Sequence, residues 1–237
     1  MRRNMSGKVV LITGGKRGLG KTMAEFLALE GASVWITSRQ TNNSELSTEP
    51  VKPGEIREVQ LDVTSEEQVK SVFQHVFSLH QRIDVLVNNA GTGIFKTVLD
   101  TSLEEWNQVI QTNLSGVFLC SKEAFRYMKV QGGGRVINLC SVSGYLPIPE
   151  NGAYGASKFG VHGFSQILNE EGKRYNIRVS IVSPGAVYTD MTKDRPGFQK
   201  EDMLTPEDIA ETILDIAKRP LHVRIDEVKI LPPKGIL

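Results

Sequence analysis

Short apolar runs alternate with segments of helical periodicity along almost the whole chain. The first run, residues 9–13, is apolar at consecutive positions and ends at glycines. The segment after it repeats apolar residues every three or four positions, which is typical of a helix with one buried face. Because a strand that is apolar at consecutive positions is buried on both faces, the alternation predicts a parallel sheet with helices on both sides. Further strands are predicted at 33–37, 56–63, 83–87, 135–140, 177–183 and 227–231.

Several predicted helices have recognisable start signals. Ser65 with Gln68 forms a capping-box pattern, Ser102 precedes a long helix that reaches residue 130, and Thr205 stands before a proline at the first helical position. A further helix is predicted over 153–175. No repeat or linker interrupts the alternation, so we interpret residues 1–237 as a single α/β domain.

Two polar stretches depart from this alternation. Residues 40–54 contain two prolines and a glycine and have no helical stripe. Residues 190–204 form a polar segment before the last helix. We expect this second stretch to be a loop that covers the substrate, since long loops in compact domains often carry function.

Composition and charge exclude several classes of protein. The chain has 28 Lys and Arg against 27 Asp and Glu, a net charge of +1, which predicts no attraction to nucleic acid or to an anionic membrane. No apolar run approaches the ~18 residues of a membrane span. Two cysteines exclude a disulfide scaffold, and the four histidines have no metal-ligand spacing. We therefore expect a cytoplasmic protein without a metal.

A glycine-rich turn connects the first strand to the first helix. It reads Thr13-Gly14-Gly15-Lys16-Arg17-Gly18-Leu19-Gly20. Gly14 permits a tight turn, while Gly18 and Gly20 let backbone approach a pyrophosphate and let the helix pack closely on the strand. The helix N-terminus adds amide donors and a dipole that favours an anion. Such a turn is a weak signal by itself, but its place between strand and helix favours a dinucleotide site over a structural turn.

The end of the second strand indicates which dinucleotide is bound. Enzymes that use NAD place an acid there to accept from the ribose 2′-hydroxyl. This strand ends Thr37-Ser38-Arg39, without an acid. Arg39 or Arg17 alone is equally typical of a solvated surface. Together, with no acid nearby to oppose them, the two arginines favour a 2′-phosphate and therefore NADP.

Polar residues also follow the third and fourth strands. Asp62 would either accept from an adenine amino group or cap the following turn, and the sequence favours neither. Asn88-Asn89-Ala90-Gly91 ends the fourth strand at the edge where parallel sheets bind ligands. An ordinary turn with two asparagines has the same pattern, and we expect a structural role for Asn88.

The segment Tyr154-Gly155-Ala156-Ser157-Lys158 places a phenol and an ammonium four residues apart in a predicted helix. Residues four apart share one helix face. A free phenol keeps its proton until about pH 10, and a neighbouring positive charge stabilises the phenolate, which makes proton transfer easier at neutral pH. Ser141 ends the fifth strand, where a hydroxyl can hold a substrate carbonyl. Each residue alone is typical of a surface, but their combination predicts carbonyl chemistry.

These residues together give the chain a resemblance to the short-chain dehydrogenase/reductase family. The match covers nearly the whole chain, and the order and spacing of its motifs agree. The matching motifs are Thr13-Gly14-x3-Gly18-x-Gly20, Asp62, Asn88-Asn89-Ala90-Gly91, Asn113, Ser141, Tyr154-x3-Lys158 and Pro184-Gly185 followed by Thr189.

The resemblance implies a Rossmann-like, doubly wound parallel sheet of about seven strands and an NADP-dependent oxidoreductase that interconverts a carbonyl and a secondary alcohol. Tyr154 would be the general acid or base, Ser141 would orient the carbonyl, and Lys158 would assist the tyrosine and bind the nicotinamide ribose. Asn113 would support a water relay to that lysine. Ser143 would line the substrate pocket or support its neighbour. The implied cofactor contacts are Gly14, Arg17, Gly18, Leu19, Gly20, Ser38, Arg39, Asp62, Val63, Asn89, Ala90, Gly91, Tyr154, Lys158, Pro184, Gly185, Val187 and Thr189.

The substrate and the assembly remain open at this level. The carboxyl-terminal segment is similar to that of NADP-dependent hydroxy-acid and serine dehydrogenases, whereas Gly132 and Tyr175 stand where acyl-carrier-protein reductases have basic residues. A 3-oxoacyl-type reductase is therefore disfavoured without being excluded. A non-catalytic NADP-binding regulator is the alternative function, although such relatives tend to lose a catalytic residue. The family resemblance implies a homodimer or a homotetramer acting on a small molecule.

Overall fold

The computed structural model describes residues 4–41, 47–192 and 199–235. Within these ranges seven strands form one parallel sheet in the order β3-β2-β1-β4-β5-β6-β7. This confirms the expected α/β class and the seven-stranded, doubly wound sheet. The strands are β1 (Val9–Ile12), β2 (Ser33–Ser38), β3 (Ile56–Gln60), β4 (Val85–Asn88), β5 (Gly134–Leu139), β6 (Ile177–Pro184) and β7 (Glu227–Ile230).

Helices connect the successive strands other than β2 and β3, between which none is described, and they cover both faces of the sheet. They are α1 (Gly18–Leu29), α2 (Glu66–His80), α3 (Leu103–Ile110), α4 (Gly116–Gln131), α5 (Gly152–Gly172) and α6 (Pro206–Ala217). The predicted long helix from Ser102 is divided, because one π-helical turn, Gln111–Ser115, separates α3 from α4. Ser102 and Thr205 both form complete capping boxes. Ser65 also caps its helix, but the Gln68 side chain accepts from the backbone N–H of Asp62 instead of closing the box.

The consecutive apolar positions of each strand supply two separate cores. In β1, Val10 and Ile12 pack into the core under α1 and α6, whereas Val9 and Leu11 pack into the core under α2 and α4. All four side chains are at most 3% exposed. Since fully burying a valine, leucine or isoleucine contributes about 1.5–3 kcal/mol, this arrangement makes the central strand a rigid base for the loops above it.

The amino-terminal edge of the sheet is fixed by Asp84, which lies just before β4. Its carboxylate accepts from Lys8 Nζ at 3.0 Å, from Arg82 Nε at 2.6 Å and from the backbone N–H of Val9 at 2.9 Å. Burial by itself would raise the pKa of Asp84, but these donors outweigh burial and hold the pKa below its ordinary value. The carboxylate therefore ties β1 to β4 on the side away from the ligand-binding edge.

The described part of the first polar stretch has no helix or strand, and that of the second has only a short 3-10 helix, Lys200–Asp202. Residues 42–46 of the first stretch, and residues 193–198 of the expected substrate loop, lie outside the described residues. The second stretch ends at Leu204, which forms an isolated bridge with Val187. No helix in the described ranges is long and apolar enough to cross a membrane, and no three potential metal-ligating side chains come together there.

Candidate active site

The expected site residues lie at one edge of the sheet. All seven strands are parallel, so their carboxyl ends share this edge. The strand order reverses between β1 and β4, and ligands of open α/β sheets bind in the crevice at such a reversal. The glycine-rich turn after β1 and the segment after β4 form the two sides of this crevice.

Direct contacts hold the glycine-rich turn against the segment after β4. Asn89 Nδ2 donates to the carbonyl oxygens of Thr13 at 2.9 Å and Gly14 at 2.8 Å. Gly14 has φ +67, and a Cβ added there would lie 2.9 Å from Ala90 Cα. A Cβ on Gly20 would lie 2.3 Å from the Gly14 carbonyl oxygen. Side chains at these two glycines would therefore force the turn apart, as expected for a close approach of strand, turn and helix.

The same turn presents open space and amide donors on its outer side. Gly18 has φ +52, and no described atom lies within 4 Å of a Cβ added there. The first turn of α1 contains no acidic residue, and its N-cap, Arg17, makes no side-chain cap. In contrast, α2, α3 and α6 each begin with a Ser or Thr cap and two acids. The N-terminus of α1 thus fits an anionic group such as a diphosphate.

An acid lies at the end of β2 after all, so the expectation that none is nearby is wrong. Glu58 of β3 accepts a hydrogen bond from Ser38 Oγ and forms an ion pair with Lys16, whose Nζ is 3.3 Å from Glu58 Oε1. Arg17 and Arg39 are exposed beside this group. Glu58 has no local signal in the sequence, because only the pairing of β2 with β3 brings it to this position.

Asp62 and Val63 have structural contacts at the end of β3. Asp62 Oδ1 accepts from the backbone N–H of Thr64 at 2.9 Å and from its hydroxyl at 2.8 Å, which supports the turn-capping interpretation. Val63 is buried and packs against α4, since a Cβ added at Gly116 would lie 2.7 Å from Val63 Cγ2. The cofactor contacts expected for both residues stay predictions.

Tyr154 and Lys158 lie together on the first turns of α5. The Lys158 ammonium is 5.6 Å from the centre of the Tyr154 ring, and the Phe95 ring lies 5.5 Å from the same ring. Lys158 is only 7% exposed, and its Nζ donates to the carbonyl oxygen of Leu139 at 2.7 Å. None of the described carboxylates forms an ion pair with it. A buried cation without a carboxylate partner is costly, and its field acts on the adjacent phenol.

Asn113 occupies the π-helical turn and connects three elements. It is fully buried; its Oδ1 accepts from the backbone N–H of Thr92 at 2.8 Å, and its Nδ2 donates to the Thr92 carbonyl at 2.9 Å. The same Nδ2 donates to Ser157 Oγ at 3.1 Å. Single π-helical turns are frequent at functional sites. Both amide atoms are thus engaged with protein, and they fix the segment after β4 against α5 one residue before Lys158.

Ser141 and Ser143 have different surroundings after β5. Ser141 Oγ accepts from the backbone N–H of Ser143 at 3.2 Å, while Ser143 is buried and its own hydroxyl accepts from Asn151 Nδ2 at 3.2 Å. Their short 3-10 turn packs on α5, since a Cβ on Gly144 would lie 2.9 Å from the carbonyl oxygen of Lys158. These contacts favour the supporting role for Ser143, and its place in the substrate pocket stays a prediction. Ser141 caps the turn that packs on α5.

Two other reactive groups near this turn are directed elsewhere. The Tyr145 hydroxyl donates to Glu227 and lies 3.1 Å from Ser183 Oγ. Burial and the Glu227 carboxylate raise the pKa of Tyr145. Burial also raises the pKa of Cys140, whose thiol donates to the carbonyl oxygen of Lys158 at 3.3 Å. The raised pKa makes each group a weaker acid, and each proton is already donated to a protein acceptor, so neither competes with Tyr154 for proton transfer.

The segment after β6 closes the remaining side of the crevice. The backbone N–H of Gly185 donates to Ile230 of β7 at 2.8 Å, and Val187 pairs with Leu204. Thr189 has its hydroxyl 3.2 Å from that of Thr192. Pro184 thus ends β6 at the expected edge, and Gly185, Val187 and Thr189 follow it; their cofactor contacts stay predictions.

Comparison with known proteins places these features in a family. A family model described as short chain dehydrogenase matches residues 8–200. An uncharacterized oxidoreductase from Staphylococcus epidermidis is 31% identical over 226 residues, which cover 95% of this chain and 97% of the relative. The 3-oxoacyl-(acyl-carrier-protein) reductase of Thermotoga maritima is 36% identical over 224 residues, with 90% and 91% of the two chains covered.

Solved structures agree with the sequence relatives. The crystal structure of a metagenomic short-chain oxidoreductase in complex with NADP matches with a TM-score of 0.81 and 28% identity, over 96% of this chain and 98% of that one. Since the family model spans most of the chain and relatives above 30% identity cover nearly all of it, the chain belongs to the short-chain dehydrogenase family of oxidoreductases.

Proposed function

We propose that this protein is an NADP(H)-dependent oxidoreductase that interconverts a carbonyl compound and a secondary alcohol. The observation that carries the proposal is the buried ammonium of Lys158, which lies 5.6 Å from the Tyr154 ring at the ligand-binding edge of the sheet. A protein that only binds the dinucleotide would use Lys158 for the ribose, but it has no use for a phenol beside that lysine. The bound nicotinamide cofactor supplies or accepts the hydride.

The side chains of this chain perform the acid–base part of the reaction. In the reductive direction Tyr154 gives its phenolic proton to the carbonyl oxygen, and the positive charge of Lys158 stabilises the phenolate that remains. Ser141 donates a hydrogen bond to the same oxygen and fixes its position. In the oxidative direction the phenolate takes the proton of the alcohol. Asn113 holds α5 against the segment after β4, so the pair keeps its orientation.

The glycine-rich turn and the end of β2 would hold the dinucleotide. The N-terminus of α1 would face the diphosphate, and Gly18 would leave room for it. The exposed guanidinium groups of Arg17 and Arg39 would bind a 2′-phosphate, since paired planar donors match phosphate geometry. The NADP complex of the metagenomic relative supports this choice of cofactor.

The substrate is a small carbonyl or hydroxy compound of one of two classes. The name of the Thermotoga maritima relative supports a 3-oxoacyl thioester. Gly132 and Tyr175 stand where acyl-carrier-protein reductases have basic residues, and the carboxyl-terminal segment is similar to that of hydroxy-acid dehydrogenases, so both features favour a hydroxy acid instead. Arg174 is adjacent to Tyr175 in the sequence.

We further infer that the protein assembles as a homodimer or homotetramer through α4 and α5. These helices keep large apolar side chains exposed, with Phe118 45%, Phe159 48% and Ile167 58% exposed. Such residues on adjacent helices are typical of a buried contact between subunits. Size-exclusion chromatography with light scattering would show a monomer if this inference is wrong.

One assay tests the proposed activity. The consumption of NADPH and of NADH is followed by absorbance with a panel that contains a 3-oxoacyl thioester, a 3-keto acid, a diketone and a simple ketone. The reverse reaction is followed with the matching alcohols. Turnover that is faster with NADPH supports the proposal. Dinucleotide binding without turnover on any member of the panel would favour the regulatory alternative.

A further inference from the structure

Glu58 lies beneath the glycine-rich turn because of the register between β2 and β3. Ile36 is paired with Glu58, and Ser38 with Gln60. Side chains two residues apart on a strand share one face, so Glu58 and Ser38 lie on the same face of the sheet. The turn covers this face, since a Cβ on Gly15 would lie 2.5 Å from Ile36 Cβ. Glu58 therefore lies partly buried between the sheet and the turn.

The carboxylate of Glu58 engages the two donors closest to the end of β2. Its Oε1 accepts from Ser38 Oγ and pairs with Lys16 Nζ at 3.3 Å. The same Nζ donates to the Gln40 carbonyl at 2.9 Å. The Glu58 side chain is 26% exposed and that of Lys16 is 44% exposed. Because Glu58 is partly buried, solvent and salt screen its charge less than they would screen a fully exposed carboxylate.

We propose that Glu58 is a residue that determines cofactor specificity and that it limits the preference for NADP(H). This inference rests on the proposed function, which places the 2′ position of the adenosine ribose at Ser38. Besides Arg17 and Arg39, a 2′-phosphate at this position would compete with Glu58 for the donors Ser38 and Lys16, and its negative charge is repelled by the carboxylate. A 2′-hydroxyl donates to a carboxylate instead, so Glu58 supplies from β3 the acceptor that β2 lacks.

Removing this charge with little change of shape tests the proposal. Glu58→Gln keeps an oxygen that accepts from Ser38, releases Lys16 and removes the repulsion. We expect the dissociation constant of NADPH, measured by titration of protein fluorescence or calorimetry, to fall roughly tenfold. The dissociation constant of NADH should stay the same or rise. The change for NADPH should become smaller at high salt, because the charges are partly exposed.

A second variant shows whether Glu58 withholds Lys16 from the phosphate. Lys16→Met should weaken NADPH binding only a few-fold in the wild type and much more in the Glu58→Gln background. This coupling would be absent if the two residues acted independently. Glu55→Gln is the matched control, since it removes one negative charge just before β3 at an exposed position. It should leave the binding of both dinucleotides unchanged.

Two results separate the inference from the proposed function. If Glu58→Gln, with an unchanged melting temperature, binds NADPH no better than the wild type, or more weakly, the carboxylate positions the donors and the inference is overturned while the proposed function stands. If the wild-type protein binds neither NADPH nor NADH, the proposed function itself fails.

Discussion

Replacing Tyr154 by Phe removes one hydroxyl group from the proposed site and leaves the rest in place. The ring would keep its contacts with Phe95 at 5.5 Å and with the Lys158 ammonium at 5.6 Å. The backbone carbonyl of Tyr154, which accepts from Ser157 Oγ at 2.7 Å, is unaffected. We therefore expect a folded protein that still binds NADPH with nearly wild-type affinity.

The expected loss is in turnover. General acid–base catalysis contributes about 10²–10⁴-fold, which corresponds to roughly 2.7–5.4 kcal/mol of the activation barrier. The whole of this contribution is assigned to the phenol of Tyr154, because Tyr145 donates its proton to Glu227 and Cys140 is buried. Turnover of NADPH with the best substrate of the panel should fall by at least a hundredfold.

Tyr145→Phe is the matched control for this experiment. It removes a phenol four residues after Ser141 that contacts Ser183 and Glu227, and it should leave turnover within a few-fold of the wild-type value. The assay compares kcat for both variants by NADPH absorbance and their NADPH affinity by fluorescence titration. If Tyr154→Phe retains more than about a tenth of the wild-type rate, Tyr154 is not the acid, since the low end of the expected range is larger.

Three further perturbations test other parts of the structure. Lys158→Ala should lower both kcat and NADPH affinity, and a change in kcat alone would contradict the ribose contact. Arg39→Ala should weaken NADPH binding roughly 10- to 150-fold, which is the value of a charged hydrogen bond, and leave NADH binding nearly unchanged. The ratio of the kcat/KM values with the two cofactors measures this change. Asp84→Asn should lower the free energy of unfolding at neutral pH by about 1.5–3 kcal/mol in a urea titration. Because the folded pKa of Asp84 lies below its unfolded value, this stabilisation is present above about pH 3.9 and is lost as the pH falls further. If the wild type is more stable than Asp84→Asn by the same amount at pH 7 and at pH 2, this account is contradicted.

Local signals in the sequence predicted most of the fold. The caps at Ser65, Ser102 and Thr205 were all recognisable, because a cap depends on a side chain and the backbone two or three residues away. The order of strands and helices followed from the spacing of apolar residues. The long helix from residue 102 was predicted without its π-helical turn, because the turn depends on contacts of Asn113 with Thr92 and Ser157, far away in the sequence.

The sequence by itself determined which chemical groups each loop carries and where along the chain they stand. The glycines after β1 and the four-residue spacing of Tyr154 and Lys158 are local properties, and a helix necessarily brings such a pair to one face. The alternation of strands and helices determined that these groups share one edge of a parallel sheet.

Only the tertiary structure decided what surrounds each of these groups. The Lys158 ammonium is directed to the carbonyl of Leu139, and Tyr145 to β7, because of how α5 and the turn after β5 pack on the sheet. Glu58 reaches Ser38 because β3 pairs with β2 in one register, and a shift of one residue would have turned it to the other face. Strand register is set by the burial of both faces of the whole sheet, so no local stretch of sequence contains it.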